Sequence, residues 1–224
     1  ENSLAKTEMR FLGEFSWLEA SLREESNFIQ SQFIMINTFR NFSLVLTALL
    51  GVSTLQAATL PKVGDSAPAF SALDDQGKKW NSKDFLGKKH IVIYFYPAAM
   101  TGGCTKQACA FRDDKSKWTK LDAVVVGISG DNPEGLAHFK KAENLNFSLL
   151  ADWKGEVADK FGVPFGKGGA IKRTVAGKEV TLKRGVTTKR WTFVVSKEGK
   201  IVYKNDKVNA AKDSESVRAV LAKL

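Results

Sequence analysis

The sequence predicts an α/β fold, a central mixed sheet with helices on both faces. Three observations carry that expectation. Apolar, β-rich runs at 90–96 (HIVIYFY) and 123–129 (AVVVGIS) read as buried strands, and helical segments separate and follow them. A late pair of strands around Lys197-Glu-Gly199 carries a hairpin signal, which adds antiparallel pairing. The chain can also fill such a core: of its 224 residues 43% are hydrophobic, including 15 Phe and five Trp.

The expected elements run in this order. Residues 69–85 alternate around Asp75-Gln-Gly77, as a hairpin does. Residues 90–96 form a central strand, and 101–120 hold a helix entered after Pro97. Residues 123–129 form a second buried strand. Pro133, at a first helical turn, opens a helix over 133–143. A short strand at 147–151 and a short helix at 154–161 end at Gly162. Strands at 191–196 and 200–204 make the late hairpin. An amphipathic helix over 213–224 closes the chain, with Val217, Val220, Leu221 and Leu224 on one side. No repeat of 20–50 residues is present. This order is compatible with a thioredoxin-like fold, but the pattern alone does not select it over other open α/β sheets.

The first 57 residues differ from the rest. Residues 42–52 (FSLVLTALLGV) carry no charge, yet eleven residues are too few to span a bilayer. Arg40 stands before the run, and the small residues Ala57 and Ala58 follow it. Basic start, apolar centre and small residues make 35–57 a signal peptide. The 34 residues before Met35 are then read as an over-extended N-terminal segment, and 58–224 as the folded domain. A transit peptide fits less well, because 1–57 holds six acidic and four basic residues. A buried helix at 42–52 is the plainest alternative. The expected location is periplasmic or secreted, with no stable membrane insertion after cleavage; cytoplasmic is the alternative.

Residues 58–224 keep 30 of the 34 Lys and Arg and 18 of the 24 Asp and Glu, for a net charge of +12. Of those 30 cations 25 are Lys, scattered rather than grouped with stacking aromatics, so no nucleic-acid partner is expected. Two Cys exclude a multi-disulfide scaffold and, with only two His, leave few ligands for zinc.

The chemistry concentrates in YFYPAAMTGGCTKQACAFRDD (94–114). A buried strand runs into Pro97, a loop follows, and Cys104 stands at the start of a helix. Free backbone N–H groups and the helix dipole favour negative charge there, the form in which a thiol is nucleophilic. Thr101, three residues earlier, can bring its hydroxyl to the sulfur, and Gly102 and Gly103 allow close backbone approach. Cys109 lies five residues on, roughly 7.5 Å along an intact helix and about 140° around it. Disulfides want Cα atoms about 4.4–6.8 Å apart. The spacing therefore suits a reduced helical state and an oxidised, locally unwound one; a static structural disulfide is the alternative.

These residues resemble a known family. Pro97-x-x-x-Thr101-x-x-Cys104 is similar to the active-site motif of peroxiredoxins, in the alkyl hydroperoxide reductase/thiol-specific antioxidant family. The Cys104-x4-Cys109 spacing, followed by Ala110-Phe-Arg-Asp113, resembles the peroxiredoxin Q (bacterioferritin comigratory protein) group. Arg190-Trp-Thr192-Phe193 is similar to the family's Arg-x-Thr-Phe strand, and Lys62-Val-Gly64-Asp-x-Ala67-Pro68-x-Phe70 to its opening. The resemblance covers about 62–224. It departs at Gly102, where the family often has Pro, at Ala98 and Ala99, which replace a polar pair, and at 164–189, which is longer and more basic. A small added hairpin over Val175–Leu182 is expected in that segment.

The resemblance implies a thioredoxin-like fold and a thiol-dependent peroxidase acting on hydrogen peroxide and organic hydroperoxides. Cys104 would be the peroxidatic cysteine and Cys109 its intramolecular resolving partner. Thr101 and the Cys104 amide would orient the peroxide, Arg190 would stabilise the thiolate, and Pro97 would shield the pocket. A thioredoxin-like dithiol would be the reductant, a monomer or weak dimer the assembly, and no cofactor or metal would be needed. The rivals are a thiol–disulfide oxidoreductase of the same fold and a non-catalytic binding domain. An oxidoreductase would normally carry Cys-x-x-Cys, whereas here four residues separate the cysteines. His90 and His138 are expected to be structural or solvated, Trp191 to pack in the core, and Gly166-Lys-Gly168-Gly169 not to bind phosphate, for it lacks the Gly-Lys-Ser/Thr ending.

Overall fold

Seven strands form one sheet in the order β2-β1-β5-β4-β3-β8-β9. A computed structural model describes residues 60–224; the expected signal peptide and the segment before it lie outside them. The elements are β1 (Ser71–Asp74), β2 (Lys79–Asn81), β3 (His90–Phe95), α1 (Gly102–Asp113), α2 (Lys115–Lys120), β4 (Ala123–Ser129), α3 (Pro133–Ala142), β5 (Ser148–Ala151), α4 (Glu156–Lys160), β6 (Phe165–Val175), β7 (Lys178–Thr188), β8 (Trp191–Val195), β9 (Ile201–Asn205) and α5 (Asp213–Leu221). Strands β3, β4 and β5 pair in parallel, and the pairs β1–β2, β1–β5, β3–β8 and β8–β9 are antiparallel. The mixed sheet is thus as expected.

The alternation along β3 shows why this strand is central. Val92, Tyr94 and Tyr96 pack on one side with Phe111, Trp118, Phe139 and Val217, from α1, α2, α3 and α5. Ile91, Ile93 and Phe95 pack on the other with Val157 and Phe161, from α4 and its end, and with Phe70 and Trp80 from the N-terminal hairpin region. All six of these β3 and adjoining side chains are buried, so the strand reads as a continuous apolar run. Among the described residues no helix is long and apolar enough to cross a membrane.

Four expectations need correction. The helix over 101–120 is two helices that meet at Asp114, whose backbone leaves helical geometry at ψ 13°. The Asp114 carboxylate accepts from Ser214 Oγ and lies 2.6 Å from Lys117 Nζ and 2.8 Å from Arg218 Nε, contacts that fix the bend to α5. The helix at 154–161 shrinks to five residues, entered through Gly155 in left-handed geometry at φ 77°. Leu224 is 60% exposed because α5 ends at Leu221, and Val220 is only half-buried. The added hairpin is no small ribbon: β6 and β7 each have 11 residues and form a separate two-stranded sheet. Gly166, Gly168 and Gly169 lie within β6, not in a phosphate-binding loop.

The hairpin is fastened to the domain. Leu182 is fully buried in the core beside Gly135 of α3, with Ile171 and Val180 packed against the same cluster. The Gly185 amide donates to the Gly130 carbonyl at 3.0 Å and the Asn132 amide to the Lys183 carbonyl at 3.1 Å. A Cβ at Gly130 would lie 2.1 Å from the Val186 carbonyl oxygen, so glycine is required for the two segments to meet.

Candidate active site

Cys104 is the third residue of α1 and is 1% exposed. The strand β3 delivers the chain to Pro97, which is half-buried, and the loop 97–101 turns it into the helix. Thr101 is the N-cap residue but its side chain makes no capping bond. The first backbone bond runs from the Thr105 amide to the Thr101 carbonyl at 2.8 Å. The amides of Gly102, Gly103 and Cys104 precede it and have no backbone acceptor among the described residues. Together with the helix dipole they favour negative charge near the sulfur. Behind the sulfur the wall is apolar, built in one cluster with Tyr94, Tyr96, Ala108 and Phe111.

Arg190 reaches the sulfur. It stands just before β8, and its Nη2 donates to Cys104 Sγ at 3.2 Å, while its other terminal nitrogen donates to Gln107 Oε1. A Cβ at Gly103 would lie 3.4 Å from that Nη2, an ordinary contact, which places this glycine directly beside the guanidinium. Gln107 is fully buried and donates through Nε2 to Asp213 Oδ2 at 2.6 Å. Thr192 Oγ1 donates to the same oxygen at 2.7 Å. Asp213 is 2% exposed, and burial raises its carboxyl pKa above the ordinary carboxylate value, against the pull of Thr192, Gln107 and Arg190.

Thr101 does not hydrogen-bond to the sulfur with its proton. Its Oγ1 donates to the Ala98 carbonyl at 2.9 Å, because that acceptor closes the same turn. The hydroxyl oxygen keeps its lone pairs free to accept a hydrogen bond. The loop itself is pinned. The Ala99 amide donates to Asp131 Oδ2 at 2.8 Å, and Ser129 Oγ donates to the same oxygen at 2.7 Å. Burial raises the pKa of Asp131 too. Met100 has φ 56°, unusual for a residue with a side chain, and its carbonyl accepts from Arg173 Nε at 2.9 Å. Thr188 Oγ1 donates to the Tyr96 carbonyl at 2.9 Å. The added hairpin therefore holds both ends of the reactive loop.

Cys109 lies on the same unbroken helix, half-buried, and its thiol donates to Glu143 Oε2 at 3.6 Å. Burial first, and then the Glu143 carboxylate, raise its pKa, with Arg112 opposing them. Both cysteines are free thiols in this structure. The site thus unites Cys104, Arg190 and the 97–101 loop, and leaves Cys109 one and a half turns away. Sequence reasoning missed Gln107, Asp213, Thr192 and Asp131. Gln107 had a signal, because residue i+3 on a helix shares a face with residue i; the others act across the fold. Among the described residues no group of three or more His, Cys, Asp or Glu is placed to hold a metal ion.

The comparisons with known proteins agree with this geometry. The model of the AhpC/TSA family matches residues 63–204. The chain belongs to the AhpC/TSA family. Peroxiredoxin Bcp of Escherichia coli is 41% identical over 140 residues, 62% of this chain and 82% of that one. The crystal structure of peroxidoxin BcpB from Mycobacterium tuberculosis is 32% identical with a TM-score of 0.61, over 73% of this chain and 98% of that one. A structure of the Xanthomonas campestris bacterioferritin comigratory protein, studied for alkyl peroxide reduction, is 25% identical with a TM-score of 0.57, over 69% and 90%. As a peroxiredoxin with a thioredoxin fold, the protein is a thiol-dependent peroxidase, and the disulfide-oxidoreductase reading is not favoured.

Proposed function

We propose that this peroxiredoxin reduces hydrogen peroxide and organic hydroperoxides with Cys104 as the attacking thiolate and Cys109 as the internal resolving thiol. The observation that carries the reading is the Arg190 bond to Cys104 Sγ, 3.2 Å long, at a helix start with open amides. The thiolate attacks the peroxide oxygen farther from the substituent, an S–O bond forms as the O–O bond breaks, and the leaving alkoxide or hydroxide takes a proton. Cys104 becomes a sulfenic acid and the product is an alcohol or water. The Cys109 thiol then displaces water from the sulfenic acid to give a disulfide. Since α1 is continuous from Gly102 to Asp113, that bond needs the turns between the two cysteines to unwind. A thioredoxin-like dithiol returns both thiols and is itself oxidised to a disulfide. Burial raises the Cys109 pKa and so disfavours its thiolate, the form that would compete for peroxide.

The test is a peroxide-consumption assay with candidate dithiol donors. Wild type turns over and Cys104→Ser does not, with unchanged circular dichroism. Turnover of Cys104→Ser within tenfold of wild type removes Cys104 from the reaction.

The location follows from Arg40, the apolar run 42–52 and the small residues at 57 and 58, which support export and cleavage near Ala58. In an oxidising compartment the donor must itself be exported. Cell fractionation with N-terminal sequencing tests this; a soluble cytoplasmic protein that retains residues 35–57 contradicts it.

A further inference from the structure

The strongest polar contacts at the site continue behind it, into the C-terminal helix. Cys104 Sγ, Arg190, Gln107 and Asp213 form an unbroken chain of hydrogen bonds, and Asp213 opens α5. Peroxide chemistry assigns no role to a carboxylate there. We propose that Asp213 is a positioning residue for Cys104, acting through Gln107 and Arg190 to hold the reactive turn of α1 closed.

The orientation of the Gln107 amide is the first point. An amide has one acceptor oxygen and one donor nitrogen. Gln107 must give its oxygen to Arg190 and its nitrogen to an acceptor, or it would turn its own donor on the guanidinium. Asp213 Oδ2 is that acceptor at 2.6 Å, and it is fixed in turn by Thr192 Oγ1 at 2.7 Å. Thr192 lies on β8, two residues after Arg190, so strand and helix share one oxygen atom. With Gln107 so oriented, Arg190 has one terminal nitrogen on the amide and the other on the sulfur.

The cost of burying Asp213 is the second point. Its other oxygen, Oδ1, is buried with no partner among the described residues, and burial opposes its charge. A site selected for packing alone would not keep a carboxylate with one oxygen unsatisfied. What the carboxylate does provide is a single acceptor shared by α1 and β8.

The third point joins the contact to the catalytic cycle. Gln107 lies between Cys104 and Cys109, inside the segment that must unwind to form their disulfide. Unwinding pulls Gln107 away from both Arg190 and Asp213. The Asp213 contact therefore favours the closed helix that meets peroxide and opposes the opened one that forms the disulfide. Its loss should move the two steps in opposite directions, which a general weakening of the fold would not do.

The inference rests on the peroxidase reading, but its first readout does not use peroxide. The rate of Cys104 alkylation by iodoacetamide is measured against pH in a Cys109→Ser background. Asp213→Ala should shift the midpoint upward. In the otherwise native chain Asp213→Ala should slow the reaction with peroxide by about tenfold, the effect of losing one hydrogen bond that involves a charged group. It should speed disulfide closure after one equivalent of peroxide, and reduce sulfinic acid at excess peroxide, read by intact mass. Asp213→Asn keeps an acceptor oxygen in the same place and should stay within about threefold of wild type. Gln107→Met breaks the same chain from the other side and serves if Asp213→Ala does not fold. A folded Asp213→Ala or Gln107→Met with the wild-type alkylation profile and wild-type closure overturns the proposal. So does Asp213→Asn as impaired as Asp213→Ala, since charge rather than an acceptor would then be the cause. Failure of wild type itself to consume peroxide would instead remove the peroxidase reading.

Discussion

Arg190→Ala isolates the one cation that touches the reactive sulfur. The guanidinium donates to Cys104 Sγ at 3.2 Å. Two unit charges at that distance attract by about 5 kcal/mol at an effective dielectric constant near 20, an upper bound for a half-exposed arginine. A hydrogen bond to a charged group typically contributes about 1.5–3 kcal/mol. The lower range is the better guide, because water replaces part of the lost attraction. It corresponds to a loss of roughly tenfold or more in the reactivity of Cys104 at neutral pH. The assay is iodoacetamide labelling across a pH series in the Cys109→Ser background, where Cys104 is the sole thiol. Stopped-flow mixing of the reduced protein with peroxide should show a second-order rate at least tenfold lower at neutral pH. A midpoint moved by less than about 0.3 units, with the rate unchanged, would refute the role of Arg190. Arg190→Lys should recover only part of the loss, since one ammonium cannot serve both Cys104 and Gln107 in the geometry of the fork.

Cys109→Ser should consume about one equivalent of peroxide and then stall until a small thiol is supplied; sustained turnover with a protein dithiol alone would contradict that. Leu182→Ala, at a fully buried position of the hairpin, should cost about 2–5 kcal/mol in denaturant unfolding. A loss below 1 kcal/mol would mean that the hairpin does not share the core. His90 has its pKa lowered by burial and by Lys197, so the unfolded state takes up the proton first as pH falls. Stability should therefore drop as pH falls from the ordinary histidine value of 6.5 toward the lowered one, and His90→Gln should flatten that part of the profile. An unaltered slope would assign the acid sensitivity to other groups.

The parallel centre of the sheet was legible because β3 and β4 are apolar on both faces, and runs of seven such residues have few other uses. The break between α1 and α2 was not, since helix-compatible residues continue on both sides. Besides Lys117, the groups that hold Asp114 at the bend are Ser214 and Arg218, about a hundred positions away. The hairpin β6–β7 was underestimated for a local reason. Its inward apolar positions are few, its outer face is rich in Lys and Gly, and it turns at Ala176-Gly177 with φ 49° and 78°. A two-residue turn of that kind usually announces itself with Asn-Gly or Asp-Gly. Within the site, Pro97, Thr101 and Cys104 form a local pattern, and resemblance was needed to add Arg190. Asp213 lies 106 positions from Gln107, with no periodicity or motif to mark it. Thr101 stands at the helix start, but its hydroxyl donates to the Ala98 carbonyl rather than to the sulfur, because that acceptor is nearer in the turn than sequence spacing reveals.

The central claim is that one helix carries both halves of the redox couple. It is tested most directly by peptide mapping of the wild-type protein under non-reducing conditions, after one equivalent of hydrogen peroxide. The expected product is a single chain two hydrogens lighter, with the peptide of Cys104 joined to that of Cys109 and no dimer on a non-reducing gel. Cys104 found only as sulfenic or sulfinic acid, or joined only to another chain, would contradict the account.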